Sequence, residues 1–156
     1  MRSDNRLSLA LHVLLHMTEL DGPATSEQLG PRLGVNPVVL RRTLAGLRDA
    51  GIVTSVKGHG GGWSVARDLS KVTLRDVHAA IGTTALFGIG HRDEDTGCPI
   101  ERAVNRAITG ALDAATETFE SSLHGVAVAD LIEGGRRKLH RQATAGQIHE
   151  KGHVHA

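Results

Sequence analysis

The segment "VKGHGGGWSVAR", residues 56–67, decides between two interpretations of the fold. Its glycines cluster around His59, and the only tryptophan of the chain, Trp63, follows them. In a phosphate-binding loop, the glycines lie between a strand and a helix that carries Lys followed by Ser or Thr. Here "IVTSVK" alternates before the glycines and a second strand-like segment, "WSVAR", follows them. The pattern therefore predicts a β-hairpin, anchored by Trp63, whose glycines let backbone amides approach a sugar-phosphate chain.

The residues before the hairpin predict three helices. Residues 5–20 carry a broad apolar face at helical spacing, and "DGP" at 21–23 ends this first helix. Thr25 and Gln28 are the sequence signature of a capping box, which starts a short second helix. Pro31 removes one backbone hydrogen bond from that helix, so we expect it to be short or kinked.

A third helix begins at Asn36 and Pro37, because Asn is a favoured N-cap residue and Pro is tolerated at the first helical position. Small residues on its outward face would let the helix approach base edges in the major groove, which is about 12 Å wide. An ordinary helical hairpin with solvated arginines is the alternative. The predicted DNA-contacting residues of this helix and of the hairpin tip are Asn36, Val38, Arg41, Arg42, Ala45, Lys57, His59 and Gly60.

The residues after the hairpin predict a fourth helix, capped by Thr73 and Asp76, and then a long helix. The long helix, residues 98–123, carries two adjacent apolar rows, more apolar surface than one neighbour can cover. A short helix is expected at 126–133. Self-complementary pairing of the long helix would give a twofold dimer, and packing only within its own chain is the alternative. The predicted dimerisation residues are Ile100, Val104, Ile108, Leu112 and Phe119.

Together these elements predict a mostly α-helical fold with a small β-wing, in which a winged helix-turn-helix is joined to a long dimerisation helix. The net charge is only +1 because a basic N-terminal part and a basic tail flank an acidic middle. A basic N-terminal part is compatible with contact to nucleic acid. The predicted divisions are a DNA-binding domain at 1–82, an acidic loop at 83–97, a dimerisation region at 98–133 and a flexible, His-containing tail at 134–156.

Composition indicates a globular protein with an aliphatic core, since hydrophobic residues make up 40% of the chain and aromatic residues only 2%. His12 and His16 interrupt the apolar segment "RLSLALHVLLHM", and no run approaches the ~20 apolar residues that cross a bilayer. We therefore expect a cytoplasmic protein without a membrane span. His12, His16 and His78 are expected to be satisfied interior or boundary residues.

The segment "SEQLGPRLGVNPVVLRRTLAGLRDAGIVTSVKGHGGGWSVAR" resembles the DNA-binding half of Rrf2-type bacterial transcription regulators. "VTLRDVHAAIG" and the segment from Cys98 to residue 132 resemble later parts of the same family, so the resemblance covers about residues 5–133. It implies a homodimeric winged-helix repressor or activator whose long helix pairs with that of its partner. Double-stranded DNA and a second copy of the chain are the expected partners, and the effector is unknown.

Cys98 is the only cysteine of the chain. Some Rrf2 regulators hold an iron–sulfur cluster with three cysteines in this region, and such clusters need thiolate ligands. The resemblance is therefore to the clusterless branch, and we expect no cofactor. Cys98 at the start of the long helix is a candidate redox sensor, because a helix N-terminus favours the thiolate. A space-filling role is the alternative.

The tail carries the remaining candidates for chemistry. His149, His153 and His155 in "HEKGHVH" have spacings that could share a zinc or nickel ion, but we expect a solvated tail without a metal site. No combination of nucleophile, base and orienting residue indicates an enzyme. The predicted function is a DNA-binding transcriptional regulator, most simply a repressor. The alternatives are a winged-helix module that binds only proteins and a metal-responsive sensor that uses the tail.

Overall fold

The computed structural model describes residues 4–82 and 98–134. Over these residues the chain is mostly helical and has one two-stranded antiparallel sheet, which confirms the predicted fold class. The predicted acidic loop and the tail from residue 135 onwards lie outside the described residues. In chain order the elements are α1 (Arg6–Met17), α2 (Ser26–Leu33), α3 (Pro37–Asp49), β1 (Val53–Val56), β2 (Gly62–Val65), a short 3-10 helix (Leu69–Lys71), α4 (Leu74–Ala80), α5 (Pro99–His124) and helical residues 128–134.

Helix α2 begins at the predicted capping box. The Gln28 amide donates to the Thr25 hydroxyl at 3.2 Å, and the Thr25 amide donates to the Gln28 side chain at 2.9 Å. Gly34 ends the helix with φ 64°, a left-handed conformation that glycine adopts without steric cost. Pro31 lies inside α2, which is only eight residues long, as short as the sequence predicted.

Helix α3 is also bounded by residues that the sequence identified. The Asn36 side chain accepts a hydrogen bond from the Val38 amide at 2.8 Å, and Pro37 is the first helical residue. Gly51, with φ 70°, turns the chain out of the helix toward β1. Because α2 and α3 are joined by only residues 34–36, the two helices form a tight helix-turn-helix.

Strands β1 and β2 form the predicted hairpin, with Val53 opposite Val65 and Val56 opposite Gly62. In β1 only Val53 is buried, and the three residues after it are exposed. The base of the hairpin therefore belongs to the core, whereas its tip projects from it.

The core is aliphatic, as the scarcity of aromatic residues predicted. It is formed by α1, α3 and α4, with contributions from α2, the start of β1 and the chain after α5. No residue of α5 is buried, so this helix lies at the edge of the core. The side chains with no exposed surface are Ala10, Val13, Leu14, Leu40, Leu44, Leu47, Ile52, Val72, Val77 and Val128.

The C-terminal end of α5 is attached to the core beside α4. Thr73 and Asp76 form the predicted capping box of α4, with the Thr73 amide donating to the Asp76 carboxylate at 2.8 Å. The amide of buried Val128 donates to the Val72 carbonyl at 2.8 Å. The second contact connects the segment before α4 to the chain that follows α5.

Candidate nucleic-acid interface

The outward face of α3 is exposed over its N-terminal half. Val38 and Val39 are 51% and 47% exposed, and Arg41 and Arg42 are exposed beside them. Ala45 is half-buried. Val39 was not among the predicted DNA-contacting residues. It lies at the flank of the inward-facing leucine row, so the helical pattern did not show whether its side chain would face the core or the solvent.

Arg41 and Arg42 differ in their surroundings. The Arg41 guanidinium forms an ion pair with the Glu27 carboxylate of α2, and both side chains are largely exposed. Within the described residues, the side chain of Arg42 forms no hydrogen bond or ion pair. The two arginines therefore differ in the charge that they present to a ligand, because Glu27 compensates the charge of Arg41 and not that of Arg42.

Glu27 keeps its charge near neutral pH. Its carboxylate accepts a hydrogen bond from its own backbone amide and another from Arg41, and these contacts hold the pKa of Glu27 below its ordinary value. A negative charge therefore lies at the edge of an otherwise basic surface on α2 and α3.

The tip of the hairpin contains the three predicted residues Lys57, His59 and Gly60, all of which are exposed. Gly58 and Gly60 have φ values of 99° and 77°, in a region that residues with a side chain rarely adopt. The glycines of the opening segment therefore make the turn between the strands, and the element directly after them is strand β2, as predicted, and not a helix.

Trp63 anchors the hairpin, as predicted. Its indole Nε1 donates to the Ser26 hydroxyl at 3.1 Å, and Ser26 is only 2% exposed. The backbones of Trp63 and Ala24 exchange two hydrogen bonds, of 2.9 and 3.0 Å. The hairpin is therefore held against the start of α2, and so against the helix-turn-helix.

The five predicted dimerisation residues fall on two faces of α5. Ile108, Leu112 and Phe119 are half-buried, and the Phe119 ring packs edge-on against His78 of α4, with 5.6 Å between ring centroids. Ile100 and Val104 are 75% and 50% exposed. The prediction placed all five residues in one dimer contact. In the structure, Phe119 packs against its own chain instead.

The exposed row of α5 is lined by small and apolar side chains. We call it the small-residue face and define it as Ile100, Ala103, Val104, Ala107, Gly110, Ala111, Ala114 and Thr118, all of them exposed. The Thr118 hydroxyl donates to the Ala114 carbonyl at 2.9 Å, so it does not need a partner outside the helix. Small side chains permit close helix–helix approach, which makes this face suited to contact with another helix.

Cys98 is the N-cap residue of α5 and is exposed, and its side chain makes no capping hydrogen bond. The tail candidates His149, His153 and His155 lie outside the described residues. No helix in the described ranges is long and apolar enough to span a membrane.

Residues 3–134 match the model of the Rrf2 family, which is described as "Iron-dependent Transcriptional regulator". The donor residues of this chain do not fit an iron–sulfur cluster held by several thiolates of one chain, because Cys98 is its only cysteine. Residues 4–82 and 98–134 contain no group of three or more His, Cys, Asp or Glu side chains that could share a metal ion. The expectation of no cofactor stays a prediction.

Two relatives are named as HTH-type transcriptional regulators. YwnA of Bacillus subtilis is 26% identical, over 83% of this chain and 96% of its own length. YffB of Lactococcus lactis is 31% identical, over 80% of this chain and 82% of its own length.

Solved structures show the same fold. A transcriptional regulator from Lactobacillus plantarum superposes with a TM-score of 0.72 and 24% identity, covering 94% of this chain and 97% of that one. A crystal structure named as a DNA-binding protein superposes with a TM-score of 0.67 and 25% identity, covering 81% and 98%. From the family match and these relatives, the chain belongs to the Rrf2 family of transcriptional regulators.

Proposed function

We propose that this Rrf2-family regulator binds DNA as a homodimer at an inverted repeat, with α3 in the major groove and the hairpin on the adjacent backbone. One observation carries the proposal: the Trp63–Ser26 hydrogen bond holds the hairpin to α2, and α2 packs against α3, whose N-terminal half is exposed. A recognition helix contacts base edges with its N-terminal residues, and these are the exposed residues of α3.

The chemistry of the α3 face suits a groove. Val38 and Val39 are exposed apolar side chains that can contact the methyl group of thymine. Arg42 has no partner within the described residues and can reach a guanine edge or a phosphate. The Asn36 side chain accepts a hydrogen bond from the Val38 amide and so holds the first turn of α3 in place. The N-terminus of α3 would then lie near a phosphate, which the helix N-terminus attracts.

The hairpin supplies contacts that do not depend on base sequence. Lys57 carries a positive charge at an exposed tip, and Gly60 permits close approach of the backbone to phosphate. His59 adds a donor. These residues would fix the register of α3 on the duplex, whereas base contacts from α3 would determine which DNA sequence is preferred.

The small-residue face of α5 supports the homodimer. α5 is 26 residues long, about 39 Å, and no residue of it is buried within its own chain. Pairing two such helices around a twofold axis would cover Ile100 and Val104. Two copies of α3 would then meet two half-sites separated by about one helical turn of DNA or a multiple of it.

A redox response through Cys98 is a second part of the proposal. The thiol is exposed at the first turn of α5, where a peroxide can reach it. Reaction of the thiol with hydrogen peroxide would give sulfenic acid and water, placing a polar group beside Ile100 on the dimerisation helix. Operator affinity measured before and after mild peroxide, in wild type and Cys98→Ser, tests this. An equal response of both proteins would remove Cys98 as the sensor.

The overall proposal is tested by selecting bound sequences from a random double-stranded DNA library with the full chain. We expect enrichment of an inverted repeat. Failure to enrich any sequence, together with no affinity for duplex DNA at low salt, would favour a module that binds only proteins. A repeat that is enriched only with added zinc or nickel would favour the metal-responsive alternative. A reporter fused to the regulator's own upstream region would then show repression or activation in the cytoplasm, where we expect the protein to act.

A further inference from the structure

Two histidines on the outer side of α1 lie unusually close together. His12 and His16 are one helical turn apart, with their Nε2 atoms at 3.0 Å and their ring centroids at 4.7 Å. His12 is exposed and His16 is half-exposed. The expectation that both would be satisfied interior or boundary residues is therefore wrong for His12.

Glu19 approaches the other ring nitrogen of His16. Its carboxylate lies 3.6 Å from Nδ1 of His16, beyond hydrogen-bond distance. In the tautomer that carries its proton on Nδ1, the lone pair of His16 Nε2 is available to a metal ion. A carboxylate in this position orients a metal-ligating imidazole in many metalloproteins.

The distance between the two Nε2 atoms suits a shared metal ion. Metal–imidazole bonds are about 2.0–2.1 Å long, so two nitrogens at right angles around one ion lie about 2.9 Å apart. A tetrahedral angle would separate them by about 3.4 Å. The observed 3.0 Å is near the right-angle value, which is typical of nickel(II) and copper(II) with nitrogen ligands.

We propose that His12 and His16 form a two-histidine chelate for a divalent transition-metal ion on the exposed face of α1. Water would complete the coordination sphere, since the described residues offer no third ligand at this point. The site uses none of the residues assigned to DNA contact or to the small-residue face. It is also separate in sequence from Cys98 and from the histidines of the tail.

Loading this site would strengthen α1 as an element of the fold. A metal ion bound at positions i and i+4 links two successive turns of one helix, and α1 packs against α2, α3, α4 and β2. An ion that binds the folded chain and not the unfolded chain raises thermal stability by mass action. The same two imidazoles joined only by a hydrogen bond would give no such dependence on metal.

Nickel(II) is the appropriate probe, because it prefers the observed angle and does not oxidise Cys98. The parent protein for the test is the full chain with His140, His149, His153 and His155 replaced by Gln, so that no histidine of the tail can contribute. The test variant adds His12→Gln and His16→Gln. The matched control adds His124→Gln, which removes an exposed histidine at the end of α5. Calorimetric titration and thermal unfolding, each with and without nickel, give the two measurements.

We expect the parent and the His124→Gln control to bind one nickel ion per chain and to unfold at a higher temperature when it is present. The double variant should lose that binding and the nickel-dependent shift in Tm, with an unchanged Tm in metal-free buffer. Equal nickel binding and an equal shift in the double variant would overturn the proposal. If the double variant is less stable without metal, His12→Gln alone, at the more exposed position, gives the same comparison.

Discussion

Arg41 of α3 and Glu27 of α2 form an ion pair across the helix-turn-helix, so one of the two arginines on the proposed DNA surface is already engaged. An exposed pair of this kind contributes about 0–1 kcal/mol, so DNA phosphate can compete with it. Glu27 also places a negative charge where phosphates would approach. The pair therefore moderates the attraction of this surface for DNA.

Replacing Glu27 with Gln should raise the affinity for duplex DNA. The substitution frees Arg41 to make one more phosphate contact, which steepens the slope of log K against log salt concentration by about 0.9. Fluorescence anisotropy over a range of salt concentrations measures this. Glu120→Gln, which breaks the Arg75–Glu120 pair on α4 and α5, is the control and should leave the slope unchanged. A lower affinity in Glu27→Gln would instead mean that Glu27 orients Arg41 for binding.

Asp76→Asn should lower stability near neutral pH by about 0.5–1 kcal/mol, because it weakens the capping box of α4. Hydrogen bonds from the Thr73 amide and hydroxyl lower the pKa of Asp76 from its ordinary 3.8. A lowered pKa gives stabilisation that is fully present above the unfolded value and is lost as the pH falls through the folded value.

Urea unfolding of wild type and Asp76→Asn at several pH values checks this expectation. The difference between the two proteins should be constant from pH 7 to about 5 and should shrink below about pH 4. A difference that stays the same down to pH 3 would contradict the assignment of the charge-assisted cap.

Gly62→Ala should displace the hairpin from α2. A Cβ atom at this position would lie 2.8–2.9 Å from the backbone of Ala24, and the φ of 148° is unfavourable for a side chain. We expect a loss of about 1–3 kcal/mol in unfolding free energy, as for other overpacked sites, together with weaker DNA binding. Emission from Trp63, the only tryptophan, should report the change.

Gly22→Ala is the matched control for this substitution, since a Cβ atom there meets nothing within 4 Å. It should leave Trp63 emission, stability and DNA affinity close to those of wild type. Full DNA affinity in Gly62→Ala would show that the seating of the hairpin on α2 is not needed for binding.

Val104→Asp should dissociate the proposed dimer. It places one carboxylate from each chain in an apolar seam, where an uncompensated charge is costly, and we expect the dimer Kd to rise on the order of a hundredfold or more. Thr109→Asp adds the same charge to an exposed position on the opposite side of α5 and should leave the dimer intact. Sedimentation velocity distinguishes the outcomes, and equal dimerisation of both variants would place the dimer contact elsewhere.

Local signals in the sequence predicted the elements of this fold well. Thr25, Asn36 and Thr73 each cap the helix that they were expected to start, because N-cap chemistry depends on residues only two or three positions away. Trp63 was likewise identified as an anchor. Its partner Ser26 is 37 positions away, and no local pattern could have named it.

Relationships between elements were not predictable from periodicity. The Glu27–Arg41 pair depends on the angle between α2 and α3, which the sequence does not specify. The two apolar rows of α5 were visible as rows, but only the contact between Phe119 and His78 shows which of them faces the same chain. The close approach of His12 to His16 depends on rotamers, so helical spacing suggested only that they share a face.

The most direct test of the central claim compares Arg42→Ala with Arg48→Ala in binding to the selected operator. Arg42 lies in the exposed N-terminal half of α3, whereas Arg48 lies at the other end of the helix and pairs with Asp49. We expect Arg42→Ala to weaken operator binding by about 1–3 kcal/mol if Arg42 reads a base, with relaxed preference at one position, and Arg48→Ala to change the affinity little. Full operator affinity in Arg42→Ala, or an equal loss in both variants, would contradict the assignment of α3 as the recognition helix.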